Sequence, residues 1–272
     1  MDDLNSQEML DNTPPPAEEL SHTDKISGLL SSPLQTFEDM SLFKPRVIDW
    51  LLPIIVLILV TVLSNLVIMS SPEVKASIQG KQIEMMKENF DKQVQDGTMT
   101  AKEAEEQFNT IAERMQDNQS GMNIFANVNI IVGVFLFFFI VSLVFFLVAR
   151  FILKDQGTFS HALVAYGFPS YITAIQVIVT TLLTVLTGEW VTGTSLNTII
   201  GAEPLSISGF LMGKLDPFRI WYYFLISIGF AKMFKSENIT KYYITIFGIW
   251  IGFGLLMLLL AQQFPFLRFA VM

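Results

Sequence analysis

The sequence predicts an all-α, polytopic membrane protein with five transmembrane helices and an extramembrane helical hairpin. Three observations lead there. Five apolar runs, at about 50–69, 130–148, 170–187, 217–234 and 242–260, approach the ~20 residues a helix needs to cross a ~30 Å hydrocarbon layer. Charge is kept out of the middle of all five, although 15% of the chain is charged and 51% hydrophobic. Between the first two runs, the polar stretch 70–124 carries its apolar residues at helical rather than strand spacing.

In order, residues 1–24 form an acidic leader in which Pro14, Pro15 and Pro16 follow Thr13. It lacks apolar periodicity, so disorder is expected. Apolar residues return in 25–49 at Ile26, Leu29, Leu30, Leu34, Phe37 and Met40, an amphipathic interfacial segment. Ser32, Pro33 and Gln35 have the form of a capping box with proline at the first helical position. Two placements stay open for this segment: flat on the membrane surface, or packed against the ends of the spans. The first span, 50–69, is entered past Lys44 and Arg46, with Pro53 in its tolerant first turn.

In 70–124, Ser71 and Pro72 start a helix with an apolar stripe at Ile83, Met86, Phe90 and Val94, and Asp96–Gly97 ends it. Thr100 and Glu103 make a second capping box, and the next stripe is Ala101, Ala104, Phe108, Ile111 and Met115 before Asn118 and Gly121. An antiparallel hairpin outside the membrane follows. Residues 125–272 then form a four-span domain. The third span is preceded by FSHALVAYGFPSY at 159–171, where Gly167 and Pro169 should break the helix. The loop 187–216 holds Trp190, an interface-seeking aromatic. Asp216 and Pro217 open the fourth span as N-cap and first helical residue.

Basic residues orient the chain. With the N-terminus cytoplasmic, the inner set is Lys25, Lys44, Arg46, Arg150, Lys154, Lys232, Lys235 and Lys241, against Lys214, Arg219 and Arg268 outside. That favours an inside N-terminus and an outside C-terminus, in the plasma (inner) membrane if the protein is bacterial. The insertion holds six basic and ten acidic residues, and a long net-acidic segment is a weak topological signal. The net charge of −8 therefore reports solvated segments, and no basic patch of useful size supports nucleic-acid binding.

Chemistry is sparse. The chain has no cysteine, two isolated histidines (His22 and His161) and no histidine pair at metal-ligand spacing, so neither a cofactor nor a metal is expected. Ser206-Ile207-Ser208-Gly209 lacks the first glycine of a nucleophile motif. Ionisable groups inside spans usually mark transport or catalysis, and their lack points away from an enzyme or a proton-coupled carrier. Small-residue spacing says more. Gly248 and Gly252, with Gly254 nearby, and Ser227 with Ala231 would let helix backbones approach closely. Packing within the chain is the favoured use, and a second protomer is the alternative.

Three segments, GLLSSPLQTFEDM, FSHALVAYGFP and LDPFRIWYYFLISIGFAKMF, stand in order along the chain. They resemble, respectively, the short helix before the first span, the glycine–proline break and the aspartate–proline entry to a tryptophan-bearing span of the Yip family, membrane proteins named in eukaryotes for interacting with Rab-type GTPases. The resemblance covers about 26–43 and 125–260. It implies an all-helical membrane domain with roles in membrane organisation or trafficking. The eukaryotic aspartate–leucine–tyrosine–glycine–proline signature is missing, so Rab binding is not implied. The leading expectation is a non-enzymatic scaffold or adaptor whose partners are the bilayer and a protein. That protein would be held by the N-terminal segment or by the hairpin, at Phe90, Phe108, Ile111 and Met115. A channel or permease is the alternative, prompted by the third-span threonines and the Gly167–Pro169 break.

Overall fold

The computed structural model describes residues 18–117, 122–203, 205–264 and 267, without side chains at 114–130. Among them every regular element is helical. The helices are α1 (His22–Ser31), α2 (Pro33–Ser41), α3 (Ile48–Ser70), α4 (Pro72–Gln95), α5 (Ala101–Asp117), α6 (Met122–Leu147, continued by a π-helical turn at Val148–Ile152), α7 (Phe159–Gly167), α8 (Ser170–Thr187), α9 (Leu196–Ile200), α10 (Ile207–Lys214), α11 (Pro217–Met233) and α12 (Ile239–Gln263).

Four helical stretches are long and apolar enough to cross a membrane: Ile48–Ser70, Ile131–Ile152, Phe159–Thr187 and Ile239–Gln263. The remaining predicted span, α11, has only 17 residues, about 25 Å at 1.5 Å per residue. What it lacks in length it makes up in burial. Leu225, Ile226, Ile228, Phe230, Ala231, Met233 and Phe234 on it are all but inaccessible, because α2, α7, α8 and α12 pack around it. An aromatic ladder continues the core sideways, from Phe138 to Tyr166, Phe145, Phe230 and Phe234 at centroid spacings of 5.5–6.0 Å.

The N-terminal segment departs from expectation. Part of the acidic leader is ordered: Ser21 caps α1 by accepting from the Asp24 amide, and Glu19 pairs with Lys25 and Arg46. Lys25 and Arg46 in turn hold the Glu19 carboxyl below its usual range. Residues 1–17 lie outside the described part. Of the two placements for 25–49, the packed one is realised, since Leu29 and Phe37 are fully buried and α2 lies against α11. The Ser32 capping box does not form. Ser32 makes no side-chain cap bond, and Gln35 donates to Asp39 instead. Ser32 also ends α1, and its backbone angles (φ −148°, ψ 61°) serve that junction.

The other local signals act as read. Ser71 caps α4, Gly97 takes the positive φ that ends it, and Thr100 and Glu103 bond reciprocally at the start of α5. Those Thr100 bonds lower the Glu103 pKa. α4 and α5 contact each other, and α7 gives way to α8 across Phe168–Pro169. The expected stop at Asn118 and Gly121 lies outside the described residues. The loop 187–216 contains α9 and α10, which its glycines and polar residues concealed.

Polar contacts gather at two ends of the bundle. At one end Lys25 meets Asp49, Lys232 meets Glu38 and Lys241 meets Asp155. At the other, Lys92 meets Glu203, Gln176 meets Asp216 and Gln262 bonds the Leu205 carbonyl. α11 runs from Asp216 at the second end to Lys232 at the first.

Candidate functional site

Asp216 organises the second end. Its Oδ1 accepts from the Phe218 and Arg219 amides at 3.0 and 3.1 Å, which caps α11, and from Thr194 Oγ1 at 2.9 Å. Its Oδ2 accepts from Gln176 Nε2 at 2.9 Å, with Arg219 Nε 3.9 Å away. Gln176 also donates to Thr194, so loop, α8 and α11 are tied by one closed polar triangle. A carboxylate 1% exposed needs such saturation, since an unpaired buried charge is costly.

Two cavities lie beside this knot. The outer one, about 570 Å³, is lined by Lys81, Glu88, Trp190, Lys214 and Asp216, among others. The inner one, about 440 Å³, reaches Phe138, Tyr166, Thr173, Gln176 and Trp250 between the long helices. Arg219 lines both. Among the described residues it is the one charged side chain of the inner chamber, whose other walls are aliphatic side chains, rings, hydroxyls and one amide. At the outer mouth, Lys214 Nζ lies 4.8 Å from the Trp250 ring centroid and 5.1 Å from that of Phe210. Gly254 makes room for it, because a Cβ there would stand 2.6 Å from Nζ. Burial, and then the Arg219 charge, pull the Lys214 pKa down to about 8 despite the two rings.

A family model for the Yip1 domain matches residues 27–261. The chain belongs to that family. No curated protein and no solved structure matches it. The Yip1 match runs from within α1 to within α12, so the 71–124 insertion lies inside its bounds. In this Yip1 domain, Gly167 and Pro169 sit at the α7–α8 junction, where a Cβ on Gly167 would press on Trp50 and Phe138. Ser227 and Ala231 are buried in the centre, and Ser227 donates to the Tyr223 carbonyl. Gly248 and Gly252 are exposed with nothing within 4 Å of an added Cβ, so the favoured packing within the chain is not made there. Gly254 alone of that trio has a neighbour, the Lys214 side chain with Phe210.

Phe90, Phe108 and Ile111 are half-buried on α4 and α5, and the Met115 side chain lies outside the described residues. His22, assigned to the leader, bonds Tyr171 at 2.8 Å, while His161 bonds Thr158 at 2.8 Å in the α7 cap. Ser206 caps α10 by accepting from the Gly209 amide. The Asp216–Gln176–Arg219 site went unread as a unit. Lys214, Asp216 and Arg219 do crowd the entry to one helix, but Gln176 and Trp250 come from 40 and 36 residues away.

Proposed function

We propose that this Yip1-domain protein is a non-enzymatic membrane scaffold or adaptor, crossing the bilayer five times with a cytoplasmic N-terminus and an external C-terminus. The two polar ends support five crossings, because α11 connects them despite its length. The observation that carries the adaptor reading is the α4–α5 pair, which acts as an external hairpin presented to partners. α4 alone is 24 residues, about 36 Å, far more than a loop needs. Three polar links moor it to the loop after α8: Lys81 to the Trp190 carbonyl, the Trp190 amide to Ser77, and Lys92 to Glu203. Ile83 and Met85 on it remain 37% exposed.

Replacing 71–124 by a short linker in the native host, followed by proximity labelling, tests this. Loss of specific protein neighbours is expected, and an unchanged neighbour profile refutes the hairpin as partner surface. The second reading, passage of a small solute, is favoured by two cavities that share Arg219 as a lining residue. Liposomes holding the purified protein would leak ions or small solutes under that reading and stay tight under the first.

A further inference from the structure

We infer that the cleft at the first end of the bundle, ringed by Arg150, His161 and Lys235, binds the phosphate of an anionic phospholipid. The cleft encloses about 490 Å³ between the end of the second span and the α11–α12 turn, and Gln156 and Thr158 add polar walls without a carboxylate. At the same end Lys25 is paired with Asp49, Arg46 with Glu19, Lys232 with Glu38 and Lys241 with Asp155, while Lys44 is exposed and lies outside the cleft lining. Among the described residues no carboxylate pairs with Arg150, Lys154 or Lys235. Of the two acids in the adjoining loops, Asp155 is occupied by Lys241 on one oxygen and the Tyr242 hydroxyl on the other, each at 2.8 Å, and Glu237, two residues past Lys235, does not line the cleft. Arg150 spends one N–H on the Asp155 carbonyl, which leaves most of its five donors free.

Basic residues beside spans are common, so charge alone decides nothing. Two further observations do. The non-glycine residues with positive φ in the described chain are both lysines of these two loops, Lys154 at 59° and Lys235 at 55°. Left-handed backbone is sterically unfavourable for any residue with a Cβ. Glycine is the usual occupant of the position after a helix C-cap, where Lys235 stands. A strained position that keeps its cation is a pointer to function. The second observation selects a lipid rather than a free anion. Phe151 and Ile152, next to Arg150 at the end of an apolar span, are 67% and 69% exposed, which sets the cleft at the level of headgroups.

The test is native mass spectrometry of the full chain in mixed micelles with phosphatidylglycerol or phosphatidylcholine of identical acyl chains. Preferential retention of phosphatidylglycerol is expected. Arg150→Gln and Lys235→Gly should each weaken it about fivefold, and together about 25-fold, from roughly one electrostatic contact each. Lys235→Gly removes charge and strain at once, so its unfolding temperature should hold or rise while binding falls. That separates lost binding from lost fold, and the charge-keeping Arg150→Lys/Lys235→Arg pair should retain the lipid. Equal retention of both lipids, or an unaltered preference in the double variant, overturns the proposal. So does an equal loss in the distant control Lys87→Gln/Lys102→Gln, which would mean bulk attraction. Displacement by millimolar inorganic phosphate as effective as by lipid would assign the cleft to a soluble anion and overturn it as well.

Discussion

Removing Lys25 exposes how the N-terminal helices are held. Its Nζ lies 3.1 and 3.0 Å from the two Asp49 oxygens, and the side chains are 3% and 5% exposed. Lys25→Met leaves Asp49 buried with His22 Nδ1 at 3.4 Å as its remaining neighbour, a cation only if protonated. Breaking a buried pair from one side costs about 3–5 kcal/mol, whereas exchanging both partners for apolar residues is close to neutral. Asp49→Leu should cost less than Lys25→Met, because Lys25 keeps Glu19 at 3.0 Å and that carboxylate is 30% exposed. The double variant Lys25→Met/Asp49→Leu should recover most of the loss. In detergent, the scale of about 2–4 °C per kcal/mol for a chain this size puts Lys25→Met roughly 10 °C below wild type. Thermal unfolding of the four proteins closes the cycle, and limited proteolysis in the 42–47 linker reports release of α1 and α2. Additive single effects, with no recovery in the double variant, would refute the reasoning.

Three further outcomes follow from the packing and the charges. Gly167→Ala should destabilise by about 1–3 kcal/mol, since the new Cβ would stand 2.9 Å from Trp50 Cβ and 3.2 Å from its Cα, read as a lowered unfolding temperature. Gly252→Leu points into open space and should leave folding intact, so a change in mass by light scattering would identify that face as a contact between protomers. The unfolding temperature of the wild type, taken as its difference from Lys214→Met at each pH, should rise from pH 8 towards 10.5. The Lys214 pKa is depressed to about 8, so in that window the unfolded chain binds the extra proton, and the comparison cancels the groups the two proteins share.

How much of this was readable in the chain varies by element. Asp216–Pro217, Ser71–Pro72 and Thr100–Glu103 mark helix starts whose partners lie within three residues, so local spacing sufficed. Ser32 failed as a cap because it also terminates the preceding helix, a competition no single-helix template includes. The candidate site was legible only in fragments. Asp216 was recognised as a cap, while its bonds to Gln176 and Thr194 depend on how α8 and the following loop return to α11.

By itself, the sequence determined that this is an all-helical, multi-pass membrane protein, since hydropathy over some twenty residues is a local property that lipid reads directly. Tertiary structure alone decided that α11 forms the buried axis and that Leu29 and Phe37 belong to the core. It also decided that Gly248 and Gly252 face outwards and that Arg219 stands between two cavities. In lipid, apolar residues gain little from choosing a protein neighbour over a hydrocarbon one. Which face of each greasy helix turns inward is therefore set by shape and by a few distant polar bonds.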